Sequence, residues 1–377
     1  MKDLASYSAY LETALQTHQI PQQPANLYDP LRYFLQLGGK RLRPMLSLMA
    51  CKLADSPMEK ALQAALAVEY FHNFSLIHDD IMDAAPLRRG QATVHEKWNP
   101  NIAILSGDVL LVKAYEQLAA YDPSTFHALF VVFNQTAIEV CEGQQLDMDF
   151  EMRTEVSEEE YMEMIRLKTS VLLGCALQMG GIVGGLSRPN TELLYNFGVH
   201  LGLAFQIQDD ILDLFGESAQ VGKQIGGDVL ANKKTLLSIS AKKAANSEQR
   251  LTLQELEGMQ DPTLKVEKTK ALFNQLGART YCEQKMAAHH QKALAALDLI
   301  VTNGSKSELL ALTFKDNPDA ARGKDAEEVF FEESLIINEL QIPSGEFKSG
   351  SIQSGNKIQL IHDGLLLGIR DYFKKLG

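Results

Sequence analysis

The chain has 377 residues and a formal net charge of −12, with 45% hydrophobic and 22% charged residues. These proportions are typical of a folded globular protein, and they exclude disorder over most of the chain. Nucleic acids and anionic membranes are bound by basic surfaces, so the acidic balance argues against either as the main partner. An anionic small ligand is compatible with it, because a few clustered cations can bind such a ligand.

Helical spacing dominates the chain, and strand patterns are scarce. The segment 55–82 is predicted to be one long helix, and Asp55-Ser56-Pro57 is expected to begin it. Further helices are predicted over the following ranges: 103–120, 125–150, 157–180, 190–215, 234–246 and 264–297. This pattern predicts an all-α fold, with helices long enough for a single large bundle.

The composition changes near Thr313, where an acidic stretch is followed by a segment rich in Gly and Ser. The sequence therefore predicts one domain over 1–313 and an extension over 314–377. The Gly/Ser-rich part is typical of a loop or linker, and the last residues could form a short amphipathic helix. Nothing in the extension carries recognisable chemistry.

Several features favour a cytoplasmic protein. The first 16 residues lack the apolar core of a signal peptide. Residues 169–187 contain no charge, but glycines interrupt the run, so we expect a kinked core helix and no stable membrane span. Widely spaced cysteines without a C-x-x-C pair predict reduced, buried thiols and no zinc site. These cysteines are Cys51, Cys141, Cys175 and Cys282.

The strongest signal is the pattern D-D-x-x-D, which occurs at 79–83 and again at 209–213, each time inside an apolar helical run. Positions i and i+4 of a helix lie about 40° apart, so the first and last aspartate of each motif share a face. Such like charges repel unless cations lie between them, and Mg²⁺ prefers oxygen ligands together with substrate phosphates. We therefore predict a magnesium site formed by Asp79, Asp80, Asp83, Asp209, Asp210 and Asp213.

Clustered cations could bind the phosphates that accompany such a metal. Residues 38–44 read GGKRLRP, and R-R-G follows the first motif at 88–90. Glycine lets the backbone approach a phosphate, while Arg and Lys neutralise its charge. The candidate cations are Lys40, Arg41, Arg43, Arg88, Arg89, Lys168, Lys223, Lys233 and Lys234.

Helical spacing adds further candidates on the α-helices that carry the motifs. His72 lies seven residues before Asp79, and Gln206 lies three residues before Asp209, each on nearly the same face as the aspartate. His78 adjoins the first motif; we expect it to pack or to support the ligands, because Mg²⁺ favours oxygen over nitrogen.

Taken together, these segments resemble the trans-isoprenyl diphosphate synthases of the polyprenyl synthetase family. The similarity runs from about residue 4 to residue 313 in the expected order. The matching blocks are GGKRLRP (38–44), EYFHNFSLIHDDIMDAAPLRRG (69–90), GQQLDMD (143–149), RLKTSVLLG (166–174), GLAFQIQDDILDLFG (202–216) and GGDVLANKKTLL (226–237). Two D-D-x-x-D helices together with all the basic blocks make the resemblance specific.

The resemblance implies an all-α isoprenoid synthase fold of about ten core helices around a central cavity, usually as a homodimer. It implies a transferase that condenses isopentenyl diphosphate head-to-tail with an allylic diphosphate (dimethylallyl, geranyl or farnesyl). Ionisation, condensation and proton loss would follow in turn, without a side-chain general base or a covalent intermediate. The extension is a departure, since family members typically end soon after a segment like that at 305–312.

The resemblance also implies roles for individual residues. Asp79, Asp83 and Asp209 would bind Mg²⁺ directly, with the other three aspartates close by. The allylic diphosphate would be gripped by Arg88, Lys168, Lys223 and Lys233. The diphosphate of isopentenyl diphosphate would be bound by Lys40, Arg43, His72 and Arg89. Thr169 and Gln206 would face the developing allylic cation.

Product length is expected to depend on side chains that precede the first motif. Phe74 lies five residues before Asp79, about 7.5 Å along a helix, and the small Ser75 lies four before. By its resemblance this pattern, with no insertion in the motif, indicates a geranylgeranyl (C20) product, with farnesyl (C15) as the alternative. Phe71 lies about 12 Å before Asp79. It could form the closed end, or floor, of the product cavity at a greater depth, or it could pack in the core.

Three other functions are alternatives, and a feature of the sequence argues against each of them. A non-catalytic partner subunit of the same fold tends to lose an aspartate motif, and both are intact here. A class I terpene cyclase normally replaces the second motif with N-x-x-x-[ST]-x-x-x-E. A hydrolase with two Mg²⁺ ions would need a placed water and a base, which the sequence does not indicate.

Overall fold

A computed structural model describes residues 2–17, 20–216 and 225–313, and side chains from Ala5 onwards. Nearly all regular structure in these ranges is helical, so the predicted all-α fold is confirmed. Lys223 and the whole of 314–377 lie outside the described residues, and with them the predictions for the extension.

The described ranges contain sixteen α-helices. In chain order they are α1 (Lys2–Thr17), α2 (Ala25–Gln36), α3 (Leu42–Leu53), α4 (Leu62–Met82), α5 (Val94–Lys97), α6 (Pro100–Leu118), α7 (Pro123–Glu151), α8 (Glu158–Ile165), α9 (Val171–Gly184), α10 (Arg188–Phe215), α11 (Gly227–Leu230), α12 (Leu236–Ala244), α13 (Ser247–Glu257), α14 (Pro262–Gln275), α15 (Ala278–Leu299) and α16 (Ser307–Ala311). A 3₁₀ turn (Met58–Ala61) precedes α4, and a π-helical segment (Arg166–Ser170) joins α8 to α9. Two short strands, β1 (Leu87–Arg88) and β2 (Gln91–Ala92), pair antiparallel.

The predicted ranges omit α1, α2 and α3, and the predicted helix at 157–180 is divided by the π-helical segment. The predicted helix at 55–82 begins with the 3₁₀ turn and becomes α-helical only at Leu62. The predicted helix at 264–297 is two helices, because Gly277 takes a left-handed backbone conformation (φ 72°) between them. Helix α13 was not predicted, since only Leu253 and Leu256 of its residues are buried.

Two apolar cores hold the bundle together. The larger core joins the helices of the first half of the chain to α9, and the smaller core joins α8, the second half of α10 and helices α12, α14 and α15. Helix α10 packs along α9 and α15, while α4 packs along α6. Both aspartate motifs therefore lie on helices that are fixed along their length by neighbours.

The apolar run near 169–187 is part of the core. Residues 158–184 are long and apolar enough to cross a membrane, but 67% of the most apolar window is buried in the protein. This burial matches the predicted core helix, but the glycines do not interrupt it. Helix α9 runs unbroken through Gly174, Gly180 and Gly181, and the π-helical segment precedes it. Among the cysteines, Cys51, Cys175 and Cys282 are buried free thiols.

Cys141 contradicts the prediction of buried thiols. It is a free thiol exposed on α7, although Val140 beside it is buried. Successive residues of a helix point about 100° apart, so neighbours in sequence can face core and solvent.

Candidate active site

The first aspartate motif ends α4 and the second lies near the end of α10. The middle aspartate of each motif is buried and held by a protein partner. Both carboxylate oxygens of Asp80 accept hydrogen bonds from Arg88 Nε at 2.9 Å. Asp210 accepts a hydrogen bond from the hydroxyl of Tyr161 and a longer one, 3.4 Å, from the backbone N–H of Leu236. These two aspartates therefore support the ends of their helices.

The flanking aspartates are more open. Asp83 and Asp209 are exposed, and Asp79 is half-buried. Burial raises the pKa of Asp79, and the positive charge of Lys168 opposes this shift. Asp213 Oδ2 accepts a hydrogen bond from the backbone N–H of Asp228 at 3.1 Å.

The motifs fit a metal ion that binds together with substrate. They offer carboxylate oxygens, the ligands that Mg²⁺ prefers. Within the described ranges, no three Asp, Glu, His or Cys side chains converge as a ready cage for a metal ion. Mg²⁺ typically takes one or two carboxylates and completes its shell with water and substrate phosphates, so open carboxylates suit it.

The π-helical segment presents Lys168 and Thr169. Lys168 Nζ donates a hydrogen bond to Asp147 Oδ2 on α7 at 2.6 Å. Thr169 Oγ1 donates to Gln206 Oε1 on α10 at 3.4 Å. Single π turns inside helices are frequent at functional sites, because the extra residue re-aims the neighbouring side chains. Thr169 and Gln206 therefore lie side by side, and their predicted position facing an allylic cation stays a prediction.

Two glycines let this segment lie between α7 and α10. A Cβ atom on Gly143 of α7 would lie 2.2 Å from the backbone nitrogen of Lys168. A Cβ atom on Gly202 of α10 would lie 2.8 Å from Cα of Ser170. Both separations are shorter than non-bonded atoms tolerate. The π-helical segment can therefore lie this close to α7 and α10 only because both positions are glycine.

A cavity of about 400 Å³ opens beside the π-helical segment. Its walls include Lys168, Thr169 and Gln206 together with Lys233 from the connection before α12. Burial lowers the pKa of Lys233, but the charges of nearby carboxylates raise it overall, so the ammonium stays charged. These carboxylates are Asp228, Asp147 and Asp83. The charge of Lys168 thus acts on Asp79, and the charge of Asp83 acts on Lys233.

A second pocket, of about 810 Å³, lies at the GGKRLRP loop. Lys40, Arg43, His72 and Arg89 line it, so the structure brings the four predicted residues together. Arg43 Nη1 donates a hydrogen bond to His72 Nε2 at 3.2 Å, whereas the buried Nε of Arg43 has no hydrogen-bond partner among the described residues. Burial, together with the charge of Arg43, lowers the pKa of His72 well below its usual value. A half-buried cationic pocket with an unpaired donor is suited to an anion.

Arg41, in the middle of the same loop, faces the protein interior. It is 3% exposed and donates hydrogen bonds to Glu12, to Glu69 and to the carbonyl oxygen of Leu35. Glu69 lies on α4 and also accepts a hydrogen bond from Asn73 Nδ2 at 2.8 Å. Arg41 therefore fixes the loop to the helix that carries the first motif.

Arg89 closes the other side of this pocket. Its guanidinium donates a hydrogen bond to the carbonyl oxygen of Gly38. Gly39 has φ of 140°, and a Cβ atom there would lie 2.9 Å from the guanidinium of Arg89. The backbone conformation therefore favours glycine at position 39, whereas the guanidinium of Arg89 could move aside from a Cβ atom.

Aromatic rings stack along α4 before the first motif. The ring of Phe74 lies 4.6 Å from that of His78 and 5.7 Å from that of Phe71, between centroids. Phe71 is buried against Phe133 of α7, so it packs in the core. Ser75 Oγ donates to the carbonyl oxygen of His72 at 2.9 Å. Phe74 is thus the less buried of the two predicted chain-length aromatics.

His78 bridges α4 and α6. Its Nε2 lies 3.1 Å from the carbonyl oxygen of Ile104 and 3.7 Å from a carboxylate oxygen of Asp108. These contacts agree with the predicted packing role.

Three residues of the site were not selected from the sequence: Asp147, Tyr161 and Asp228. Asp147 and Asp228 fall inside the blocks GQQLDMD and GGDVLANKKTLL, which resemble the family, so the blocks were a usable signal. Tyr161 lies in a segment without any motif, 49 residues before the aspartate that it contacts. Only the fold brings that pair together.

Comparisons with known proteins give the same assignment. A family model described as polyprenyl synthetase matches residues 24–276. A geranylgeranyl diphosphate synthase from Methanosarcina mazei is 42% identical over 241 residues, which cover 63% of this chain and 74% of that protein. A geranylgeranyl pyrophosphate synthase from Geoglobus acetivorans is 37% identical over 294 residues, which cover 77% of this chain and 90% of that protein. A crystal structure of a geranylgeranyl pyrophosphate synthase is 41% identical with a TM-score of 0.76, covering 89% of this chain and 98% of that one.

The chain therefore belongs to the polyprenyl synthetase family. The predicted class of enzyme, a trans-prenyltransferase, is confirmed by this membership, and so is the isoprenoid synthase fold.

Proposed function

We propose that this protein is a geranylgeranyl diphosphate synthase, which condenses isopentenyl diphosphate with allylic diphosphates until the product reaches C20. The observation that carries the proposal is the cavity that Lys168 and Lys233 share with Asp210 of the second motif, with a separate cationic pocket at Arg43 and His72. One centre can thus hold the leaving diphosphate and the other the diphosphate of the nucleophile. The similar geranylgeranyl synthases support the product assignment.

The first centre activates the allylic substrate. Asp79, Asp83 and Asp209 are proposed to hold Mg²⁺, with Asp213 nearby and with Asp80 and Asp210 as buried supports. When bound, Mg²⁺ supplies positive charge that stabilises the departing diphosphate. The positive charges of Lys168, Lys233 and Arg88 are proposed to stabilise the departing diphosphate as well. Lys223 is proposed for the same role by its resemblance alone.

The second centre orients isopentenyl diphosphate. Lys40, Arg43, His72 and Arg89 are proposed to bind its diphosphate, and the lowered pKa of His72 keeps that imidazole neutral and able to share a hydrogen bond. Binding at this pocket directs the double bond towards the allylic carbon. The two substrates are then held in position to react, so the step is effectively unimolecular. Thr169 and Gln206 contribute oxygen dipoles beside the developing cation. The proton that is lost passes to the departing diphosphate, since no side-chain base is required.

The proposal is tested by a product assay. The full chain is incubated with labelled isopentenyl diphosphate and, in turn, with dimethylallyl, geranyl and farnesyl diphosphate, with Mg²⁺ or with EDTA. The products are dephosphorylated and sized. Elongation that needs Mg²⁺ and stops at C20 is the expected result. A stop at C15 would replace the product assignment by the farnesyl alternative.

A matched pair of variants separates catalysis from folding. Asp79→Asn removes a proposed metal ligand, whereas Asp149→Asn removes an exposed carboxylate on α7 that only bonds to Gln145 among the described residues. The first variant is expected to lose about 10²–10³-fold in kcat, the range of other lost electrostatic contacts, and the second to retain it. No elongation from any primer by the unaltered chain would contradict the catalytic function and favour a non-catalytic partner subunit.

We further propose that the protein is a homodimer joined through α6 and α7. Large apolar side chains are exposed on both helices: Leu105, Val112, Phe130, Val131 and Ile138. Val112 is 67% exposed and Val131 is 53% exposed. Contiguous exposed apolar surface is typical of a protein interface. Val112→Glu is expected to give a monomer in sedimentation, while Val301→Glu, at an exposed apolar residue outside these helices, is expected to leave the dimer intact.

We also propose that residues 1–313 form the catalytic domain and that the protein is cytoplasmic. The family match ends at residue 276, well before 314. A chain shortened after Thr313 is therefore expected to keep the product and the kcat of the full chain. Loss of activity on shortening would assign a role in catalysis or assembly to 314–377. Cell fractionation tests the location, and recovery with the membranes would contradict it.

A further inference from the structure

Two histidines outside the proposed active site bring their ring nitrogens together. His200 lies on α10 and His289 on α15, and their Nδ1 atoms are 3.2 Å apart. The ring centroids are 5.3 Å apart, with 47° between the ring planes. Both side chains are half-buried, so water and ions can reach them. Neither residue has a part in the chemistry proposed above.

We propose that His200 and His289 form a binding site for a transition-metal ion of the zinc class, separate from the magnesium site. Two nitrogens bound at about 2.0–2.1 Å in a tetrahedral shell lie about 3.3 Å apart. The observed separation of 3.2 Å is therefore close to one edge of such a shell. Imidazole suits Zn²⁺, Ni²⁺ and Cu²⁺, whereas Mg²⁺ prefers oxygen. Water or a small anion completes the coordination.

Without the metal, one ring donates its Nδ1–H to the other ring. Metal binding needs both Nδ1 lone pairs, so the donating ring must carry its proton on Nε2 instead. This is a change of tautomer within a neutral imidazole, and no net proton is released. The Nε2 proton then remains available to solvent.

The charges around the pair keep the rings neutral. Burial, His200 and the ammonium groups of Lys292 and Lys285 lower the pKa of His289 to about 4, and burial together with the charge of Lys292 lowers that of His200. Neutral imidazole is the form that binds metal ions. Lys285 Nζ lies 2.6 Å from a carboxylate oxygen of Glu158, and this pairing reduces its repulsion of an incoming cation.

Calorimetric titration of Zn²⁺ into the full chain tests the site. A Cys141→Ser background removes the exposed thiol, and excess Mg²⁺ competes at the aspartate motifs. One ion per chain is expected for this protein and for a control with His127→Asn, which alters an exposed histidine of α7. His200→Asn and His289→Asn are each expected to weaken the binding at least tenfold. Absence of binding to the parent, or undiminished binding to both variants, would overturn the proposal.

A second measurement avoids reliance on substitutions at the pair. Diethyl pyrocarbonate acylates accessible histidines, and mass spectrometry of peptides reports each site. Zn²⁺ is expected to slow acylation at His200 and His289 at least threefold while leaving His127 unchanged. Equal rates with and without Zn²⁺ at all three would reject the site. The readout needs no activity, so its outcome is independent of the proposed function.

Discussion

The ammonium group of Lys168 lies 2.6 Å from a carboxylate oxygen of Asp147, and this ion pair joins the π-helical segment to α7. Both side chains are partly exposed and line the same cavity. The pair therefore holds a cation at the place where a diphosphate is proposed to leave. Removing Lys168 and removing Asp147 are expected to lower kcat by different amounts.

Lys168→Met is expected to lower kcat by about 10²–10³-fold, because it removes a charge that acts on the leaving group. Asp147→Asn leaves that charge in place but no longer fixes it, so a smaller loss of about tenfold is expected. Steady-state kinetics with saturating Mg²⁺ measure both. Equal losses in the two variants would show that Asp147 acts on the reaction in its own right.

Gly143→Ala is expected to impair the site from outside it. The added Cβ atom would lie 2.2 Å from the backbone nitrogen of Lys168, so the π-helical segment must move away from α7. We expect a loss of 10-fold or more in kcat and a fall of about 1–3 kcal/mol in the free energy of unfolding. Gly258→Ala is the control, since its nearest contact would be 3.8 Å away. Normal kcat in Gly143→Ala would mean that the segment adapts.

Tyr161→Phe is expected to destabilise the support beneath the second motif. The variant removes the hydroxyl that donates to the buried Asp210. That carboxyl group then keeps only the longer hydrogen bond from the backbone N–H of Leu236 among the contacts described above. The free energy of unfolding, measured with urea, is expected to fall by about 1–3 kcal/mol. Tyr281→Phe removes a hydroxyl that bonds to Glu158 in a less buried place, and a smaller loss is expected. Equal stability of Tyr161→Phe and the parent would contradict the supporting role.

Phe74→Ala is expected to lengthen the product beyond C20. The variant removes a ring that lies about 7.5 Å before Asp79 along α4, so a longer chain can enter. Product sizing after dephosphorylation reports the change. Phe126→Ala, an aromatic residue at the start of α7, is expected to leave the product length unchanged. If Phe74→Ala also leaves it unchanged, the floor of the cavity lies elsewhere.

The helices that carry the motifs could be predicted because their apolar periodicity is strong. Helix α10 runs over Arg188–Phe215, close to the predicted 190–215, and its inner face is buried as expected. Helix α13 was missed because its burial is slight, although Asn246 and Gln249 form a capping box that marks its start. Local capping signals were therefore more informative there than hydrophobicity.

The grouping of the site residues was less predictable than their identity. The pocket that unites Arg43, His72 and Arg89 was expected from the resemblance, and the structure forms it. The bond between Tyr161 and Asp210 depends on how α8 packs against α10, which no spacing encodes. The π-helical turn also follows from packing, because Gly143 and Gly202 allow it without any local sign in the segment itself.

The inward orientation of Arg41 has a consequence for protein engineering. Its contacts with Glu12, with Glu69 and with the backbone of Leu35 make the loop at 38–44 an inseparable part of the scaffold. A designer who grafts GGKRLRP alone onto another helical protein would bury a guanidinium without its carboxylates, which is strongly destabilising. A working transplant would have to carry Glu69 and Asn73 of α4 with it.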